Sequence, residues 1–110
     1  MDIALCFVTC PSREVAQALA KQLVEEYLAA CVNILTGVQS VYRWQESITV
    51  AEEALLIIKT NSARIEQLKK AILDSHPYET PEFVAIEANH VEQSYADWLA
   101  SSLTPIDNLK

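Results

Sequence analysis

Apolar residues follow two different spacings along the chain, and the first change of spacing comes early. Residues 3–9 are apolar at nearly every position, which is typical of a strand covered on both faces. Pro11 ends this run, and Ser12 can cap a helix. From Val15 onward apolar residues recur at every third or fourth position up to Leu28, which predicts an amphipathic helix.

The middle of the chain has the pattern of a long β-hairpin. Residues 31–44 are rich in β-branched and aromatic side chains, and Gly37, the only glycine of the chain, predicts a bend or a bulge within them. Residues 45–47 form the turn in this prediction. A second strand follows the turn and ends in the apolar run 54–58.

The last third of the chain repeats a helix and a strand. Asn61 or Ser62 caps a second helix, and Pro77 lies just beyond the end of that helix. The apolar run 83–88 predicts the last main strand, and residues 92–102 predict a short final helix.

The predicted order is β-α-β-β-α-β with a C-terminal helix, which is the α+β, ferredoxin-like split βαβ arrangement with an antiparallel sheet. Residues 1–110 form a single domain in this prediction. The two long helices cover one face of the sheet, and the other face is bare. Since the third and fourth strands are apolar on both sides, we expect another copy of the chain to bury that face.

Composition and charge exclude several classes of partner. With 51% hydrophobic residues the chain is too apolar to be disordered, and its net charge of −7 argues against nucleic acid or an anionic membrane. No apolar stretch approaches the roughly 20 residues of a membrane span. Three cysteines without Cys-x-x-Cys spacing predict reduced thiols and a cytoplasmic location.

The chemically richest segment is His76-Pro77-Tyr78-Glu79-Thr80-Pro81-Glu82. Two prolines four residues apart cannot lie in a helix interior or a central strand, because each lacks an N–H and fixes its own φ. The segment is therefore predicted to be a stiff connector. It places an imidazole, a phenol and two carboxylates in a small volume.

Six segments in this order resemble the CutA family, the divalent-cation-tolerance proteins, over essentially the whole chain. They are Phe7-Val8-Thr9-Cys10-Pro11, Leu28-Ala29-Ala30-Cys31-Val32-Asn33-Ile34, Ser40-Val41-Tyr42-Arg43-Trp44, the stretch 53–60, the connector segment, and Tyr95-Ala96-Asp97-Trp98-Leu99. The resemblance implies a ferredoxin-like fold and a compact homotrimer. Bacterial members are linked to tolerance of copper and other divalent metals, and no reaction is assigned to the family, so we expect a protein that is not an enzyme.

The resemblance also implies where a cation would bind. Copper ligands in some bacterial members are a cysteine that ends the first strand and a His-His pair before Pro-Tyr. The corresponding positions here are Val8 and the pair Ser75-His76, so only His76 is retained. Cys10, beside Pro11, is expected to be the more exposed thiol and is the second candidate ligand. The expected cofactor is Cu²⁺ or a similar divalent cation.

A second group of residues is expected to line a cleft between subunits. Glu53 and Lys59 are six apart on one strand and point to the same face, where they either line the cleft or form an inter-subunit salt bridge. Trp44, at the hairpin tip, belongs either to a binding patch or to an interface. Tyr78 and Glu79 either complete the cleft or fix the connector by hydrogen bonds.

Other candidate positions each have two interpretations. Cys31 is either a thiolate ligand or a small buried residue, whereas Cys6 is assigned to the core. A further possible cation site combines His90 with its neighbours Glu87 and Glu92.

Three more positions bear on structure. His76 also has a structural interpretation, in which its protonated ring closes the C-terminus of the preceding helix. Glu46 lies where the family usually has glycine, so a positive φ there would cost about 1 kcal/mol. Tyr95, Trp98 and Leu99 recur at helical spacing and are interpreted as packing residues.

The leading functional hypothesis is a trimeric protein of divalent-cation tolerance that binds copper or a similar cation. One alternative is a small-ligand sensor of the PII type, which uses clefts between subunits; the chain lacks a glycine-rich phosphate loop, which argues against a nucleotide. The other alternative is a structural trimeric scaffold.

Overall fold

The computed structural model describes residues 2–104 and has the predicted ferredoxin-like order of elements. Strands β2, β3, β1 and β4 lie side by side in that order in one antiparallel sheet. The elements are β1 (Ile3–Cys10), α1 (Arg13–Glu25), β2 (Cys31–Trp44), β3 (Ser47–Asn61), a 3₁₀ turn (Ser62–Arg64), α2 (Ile65–Ser75), β4 (Val84–Glu87) and α3 (Gln93–Ser102). Met1 and residues 105–110, which complete the predicted single domain, lie outside the described part.

Side-chain caps explain where the helices begin. Ser12 Oγ accepts a hydrogen bond from the backbone N–H of Val15 at 3.2 Å, as predicted for α1. Asn61 Oδ1 accepts from the N–H of Arg64 at 3.0 Å, which starts the 3₁₀ turn that leads into α2. Glu92 caps α3 in the same way.

The core lies between the sheet and helices α1 and α2. Residues at even positions of β1 and β3 point toward these helices, and residues of α1 and α2 at helical spacing meet them. The fully buried large members of this core are Leu23, Leu56, Ile58, Leu68, Ile72, Val8, Cys6 and Cys10. The assignment of Cys6 to the core is therefore confirmed.

The opposite side of the sheet, here called the open face, is apolar and largely uncovered. Helix α3 covers only the end near Ile3, where Leu99 and Leu103 pack. The rest of the open face carries Leu5, Phe7, Leu35, Leu55, Ile57, Val84 and Ile86, as the strand register shows. Half of the surface of Ile86 is exposed.

A bulge at Gly37 separates the sheet from a projecting hairpin, here called the arm (residues 38–52). Leu35 pairs with Leu55 but Val38 pairs with Glu53, so β2 has one residue more than β3 at this point. Gly37 has φ +73°, as the predicted bulge requires. The arm makes the molecule long, 53 Å by 28 Å by 22 Å.

The arm ends in a two-residue turn with positive φ at both residues, Gln45 (48°) and Glu46 (68°). This backbone is that of a type I′ turn, in which glycine, asparagine and aspartate are favoured. The strain expected at Glu46 is therefore present. No helix in the part of the chain that is described is long and apolar enough to cross a membrane.

Candidate functional site

The connector (residues 76–82) crosses the end of β1 between helix α2 and strand β4. Just beyond the end of the β1–β4 ladder, the Ile3 carbonyl accepts from Ala88 N–H at 2.9 Å, so the odd-numbered carbonyls of β1 point toward β4. Strand β4 begins at Val84, opposite Phe7. The carbonyl of Thr9 therefore points to a place where β4 has no residue.

The imidazole of His76 fills that place. Its Nε2 lies 2.7 Å from the Thr9 carbonyl oxygen, and its Nδ1 lies 3.1 Å from the backbone nitrogen of Tyr78. A carbonyl only accepts and a backbone N–H only donates, so Nε2 carries the hydrogen and Nδ1 accepts. Both bonds need the neutral ring, which is only 8% exposed.

This geometry corrects the proposed role of a protonated ring at the end of α2. The helix is closed by the backbone N–H of His76, which donates to the Ile72 carbonyl at 2.9 Å. The side chain instead joins β1 to the connector.

Tyr78 links the connector to β3. Its hydroxyl donates to Glu53 Oε2 at 2.9 Å, and its ring lies 4.8 Å from the His76 ring. Partial burial, the hydrogen bond to Glu53 and the negative charges nearby raise the pKa of Tyr78 to about 12. One of the two roles predicted for Tyr78 was to fix the connector by a hydrogen bond. The hydrogen bond to Glu53 is consistent with that role.

Glu53 is the centre of the negative charge at this site. It is 9% exposed, and within residues 2–104 no Lys or Arg nitrogen lies within 4 Å of its carboxylate. Burial, and then the charge of Glu53, raise the pKa of Glu82 and raise that of the Cys10 thiol to about 11. A nearly buried carboxylate without a cation is costly for one chain alone, so the site suits a positively charged partner.

The structure contradicts two expectations about cation ligands. Cys10 is fully buried, not exposed, because its side chain points from β1 into the core below the helices. His90 is exposed but does not form a site with its neighbours, since Glu92 caps α3 and Glu87 accepts from Ser62. Residues 2–104 contain no group of three or more His, Cys, Asp or Glu side chains placed to hold a metal ion.

Within one chain, the predicted cleft residues converge only in part. Glu53 and Tyr78 are in contact, and Glu79 is exposed. Trp44 pairs with Ser47, and Lys59 lies at the other end of β3. Along β3, Ser47 and Lys59 each lie six residues from Glu53, on opposite sides of it. At about 3.3 Å per residue, Trp44 and Lys59 are therefore each about 20 Å from Glu53. A cleft formed between subunits stays a prediction.

Lys59 belongs to a separate aromatic patch. Its Nζ lies 5.8 Å from the centre of the Tyr95 ring, and that ring lies 5.5 Å from Trp98. Of the three residues interpreted as packing, Leu99 is buried, but Tyr95 and Trp98 are exposed. Cys31 is partly exposed rather than buried.

Sequence reasoning missed the partner of His76 and the proximity of Tyr42 to Tyr78. The partner is a backbone carbonyl, that of Thr9, which the residue types in the sequence do not reveal. Only the register of β4 shows that this carbonyl lacks a strand partner. The extra residue at Gly37 turns Tyr42 to the open face, from where it contributes to the raised pKa of Tyr78.

Known proteins resemble this chain over nearly its whole length. Residues 4–102 match the family model for the CutA1 divalent ion tolerance protein. A divalent-cation tolerance protein CutA of Thermus thermophilus is 47% identical over 92 residues, which cover 84% of this chain and 89% of the relative. A chloroplastic Protein CutA of Arabidopsis thaliana is 41% identical, over 87% of this chain and 53% of the relative. This chain thus spans about half of the plant protein.

Comparison with solved structures agrees with the sequence comparison. The structure of the periplasmic divalent cation tolerance protein CutA from Archaeoglobus fulgidus superposes with a TM-score of 0.90 and 32% identity, over 93% of this chain and 99% of the other.

Proposed function

Since this chain belongs to the CutA1 divalent ion tolerance family, we propose that it acts in the tolerance of divalent cations as a homotrimer and catalyses no reaction. The observation that carries the assembly is the open face, whose seven apolar residues are only partly covered within residues 2–104. Monomeric soluble proteins rarely expose a continuous apolar patch of this kind. The number three comes from the family resemblance.

The arm supports the same proposal. Large apolar residues on both sides of the arm are 60–66% exposed, Val41, Ile48 and Val50 on one side and Trp44 on the other. Strand β2 is also an edge of the sheet, with unpaired backbone groups along its outer side. A neighbouring subunit would cover both features.

Two matched substitutions test the assembly. Ile86→Glu puts a charge on the open face, whereas Leu73→Glu puts one on the outer surface of α2 at the same exposure, 50% against 51%. We expect the unmodified protein and Leu73→Glu to have three times the 12.3 kDa mass of the chain by light scattering, and Ile86→Glu to dissociate. A monomeric unmodified protein, or an Ile86→Glu trimer, would contradict the proposal.

The proposed cation is Cu²⁺ or a similar divalent ion. The net charge of −7 and the uncompensated carboxylates of Glu53 and Glu82 support attraction of a cation. The family resemblance predicts His76 as a ligand, which would require the ring to release Thr9 or Tyr78.

Titration under a competing chelator tests the cation. We expect Cu²⁺ to bind at a fixed stoichiometry and more tightly than Ni²⁺ or Zn²⁺. Cys10→Ser should leave the affinity unchanged, because the thiol is buried and protonated at neutral pH. Equally weak binding of all three metals would contradict a direct role in cation binding.

A small-ligand sensor is the second candidate. The pair Glu53 and Tyr78 lies beside the open face, so a neighbouring subunit would enclose it and form a cleft. A rise in unfolding temperature with ATP, ADP or another small effector, and none with Cu²⁺, would favour this candidate. A trimer that responds to neither would be a scaffold.

A cytoplasmic location is part of the proposal. The three free cysteines support a reducing compartment. The names of the relatives include a chloroplastic and a periplasmic protein, so the family itself does not fix the compartment.

A further inference from the structure

We infer that His76 is a positioning residue, which fixes the connector so that Tyr78 stays against Glu53, and that it does not offer a ring nitrogen to a cation. The part about the cation rests on the proposed function. The part about positioning rests on the contacts of this one chain.

The two ring nitrogens are both used. Nε2–H donates to the Thr9 carbonyl at 2.7 Å, and Nδ1 accepts from the Tyr78 N–H at 3.1 Å. A cation at Nε2 would leave the Thr9 carbonyl without its partner, and a cation at Nδ1 would do the same to the Tyr78 N–H. Backbone groups in such partly buried places are rarely left unpaired in folded proteins.

The contacts form an unbroken path from one strand to another. The Thr9 carbonyl on β1 holds His76, His76 holds the backbone and ring of Tyr78, and the Tyr78 hydroxyl holds Glu53 on β3. Because the connector continues through Pro81, it has little freedom to reach Glu53 by another route. Loss of the imidazole would therefore release the phenol and leave the carboxylate of Glu53 without its hydrogen bond.

Rescue by glutamine separates positioning from ligation. The amide N–H of a glutamine at position 76 can donate to the Thr9 carbonyl, but a neutral amide is a poor ligand for Cu²⁺. We expect His76→Ala to weaken Cu²⁺ binding about tenfold or more and His76→Gln to recover most of that loss, since groups that orient ligands typically contribute this much. Equal losses in both variants would overturn the inference.

Nitrogen-15 NMR of histidine gives a second readout that folding does not confound. The unmodified protein should show His76 as the Nε2–H tautomer, and saturation with diamagnetic Zn²⁺ should leave both ring nitrogens unchanged. A metal-bound signal at either nitrogen would overturn the inference. The second histidine of the chain, His90, is exposed and serves as the internal control.

Failure of the proposed function would look different. If the unmodified protein binds no cation, the cation role is lost, but the unfolding temperatures still test positioning. In that case His76→Gln should unfold closer to the unmodified protein than His76→Ala does. A glutamine variant as unstable as the alanine variant would contradict positioning.

Discussion

At the scale of single residues, the carboxylate of Glu53 has the largest effect on its surroundings. It accepts from Tyr78 and raises the pKa values of Tyr78, Glu82 and Cys10, after burial in each case. The folded protein thus holds the Tyr78 proton more tightly than the unfolded chain does. The part of the stability that depends on a protonated Tyr78 is complete below about pH 10, the ordinary phenol pKa, and is lost as pH rises through about 12.

Glu53→Gln should lower the pKa of Tyr78 from about 12 toward the ordinary value of about 10, because it removes the charge and leaves the burial. Carbon-13 labelling of the tyrosine ring and a pH titration by NMR would measure the change. Glu79→Gln is the matched control, since Glu79 is an exposed glutamate on the same connector and does not raise the pKa of Tyr78. An unchanged pKa in Glu53→Gln would show that burial alone raises the pKa of Tyr78.

The sequence predicted the chemistry of this site better than its geometry. It located the imidazole, the phenol and the carboxylates, because two prolines mark the connector. It did not give the contacts of His76 and Tyr78, since Thr9 and Glu53 lie 67 and 25 residues away and the strand register decides which groups meet. The prediction that Cys10 is exposed was wrong. The alternation along β1 turns its side chain to the face that the helices cover, and the neighbouring proline does not change that direction.

At the scale of elements, the arm has a turn that its residues do not favour. Gln45 and Glu46 both have positive φ, a conformation in which a side chain is strained. The strand pairing on either side, from Trp44 with Ser47 to Val38 with Glu53, holds the turn in this form.

Glu46→Gly should raise the free energy of unfolding by about 1 kcal/mol, because glycine adopts this backbone without strain. Urea denaturation monitored by circular dichroism would measure it. Glu52→Gly, in the regular part of the same hairpin, is the control and should lower stability, since glycine weakens a strand interior. A loss of stability in Glu46→Gly would mean that the glutamate side chain makes a favourable contact that outweighs the strain.

Element boundaries agree closely with the sequence pattern where caps and breakers are present. Strand β2 has the predicted bounds, and helix α3 begins within one residue of the prediction. Strand β4 is shorter than its apolar run, because Phe83 packs against the core before the ladder begins and Ala88 follows the last paired residue. Apolar character alone does not show where hydrogen-bonded pairing starts.

At the scale of the whole molecule, one chain buries only one side of its sheet. The helices supply a complete core on that side, and α3 covers one end of the other. The predicted bare face was confirmed because the two-residue period of the strands shows which residues share a face, odd-numbered residues in β1 and β3 and even-numbered residues in β4. The arrangement of copies could not be derived in this way, since a periodic pattern gives the face and not the symmetry.

If the open face is buried between subunits, folding and assembly are one equilibrium. The unfolding temperature of the unmodified protein should then rise with protein concentration, because association stabilises only the folded chain. Differential scanning fluorimetry over a hundredfold range of concentration would show it. A midpoint independent of concentration, in a reversible transition, would indicate that the single chain is stable alone.

The extra residue at Gly37 changes which residues of β2 lie on the open face. Before it, odd-numbered residues of β2 belong to the open face; after it, even-numbered residues do, including Tyr42 and Trp44. Deletion of Thr36 or Gly37 would remove the bulge and leave Val38 opposite Glu53, whereas deletion of one residue between Gly37 and the turn would reverse inside and outside along the rest of β2. Beyond the bulge, a change in the length of the hairpin therefore keeps the same side chains on the open face only if each strand gains or loses residues in steps of two.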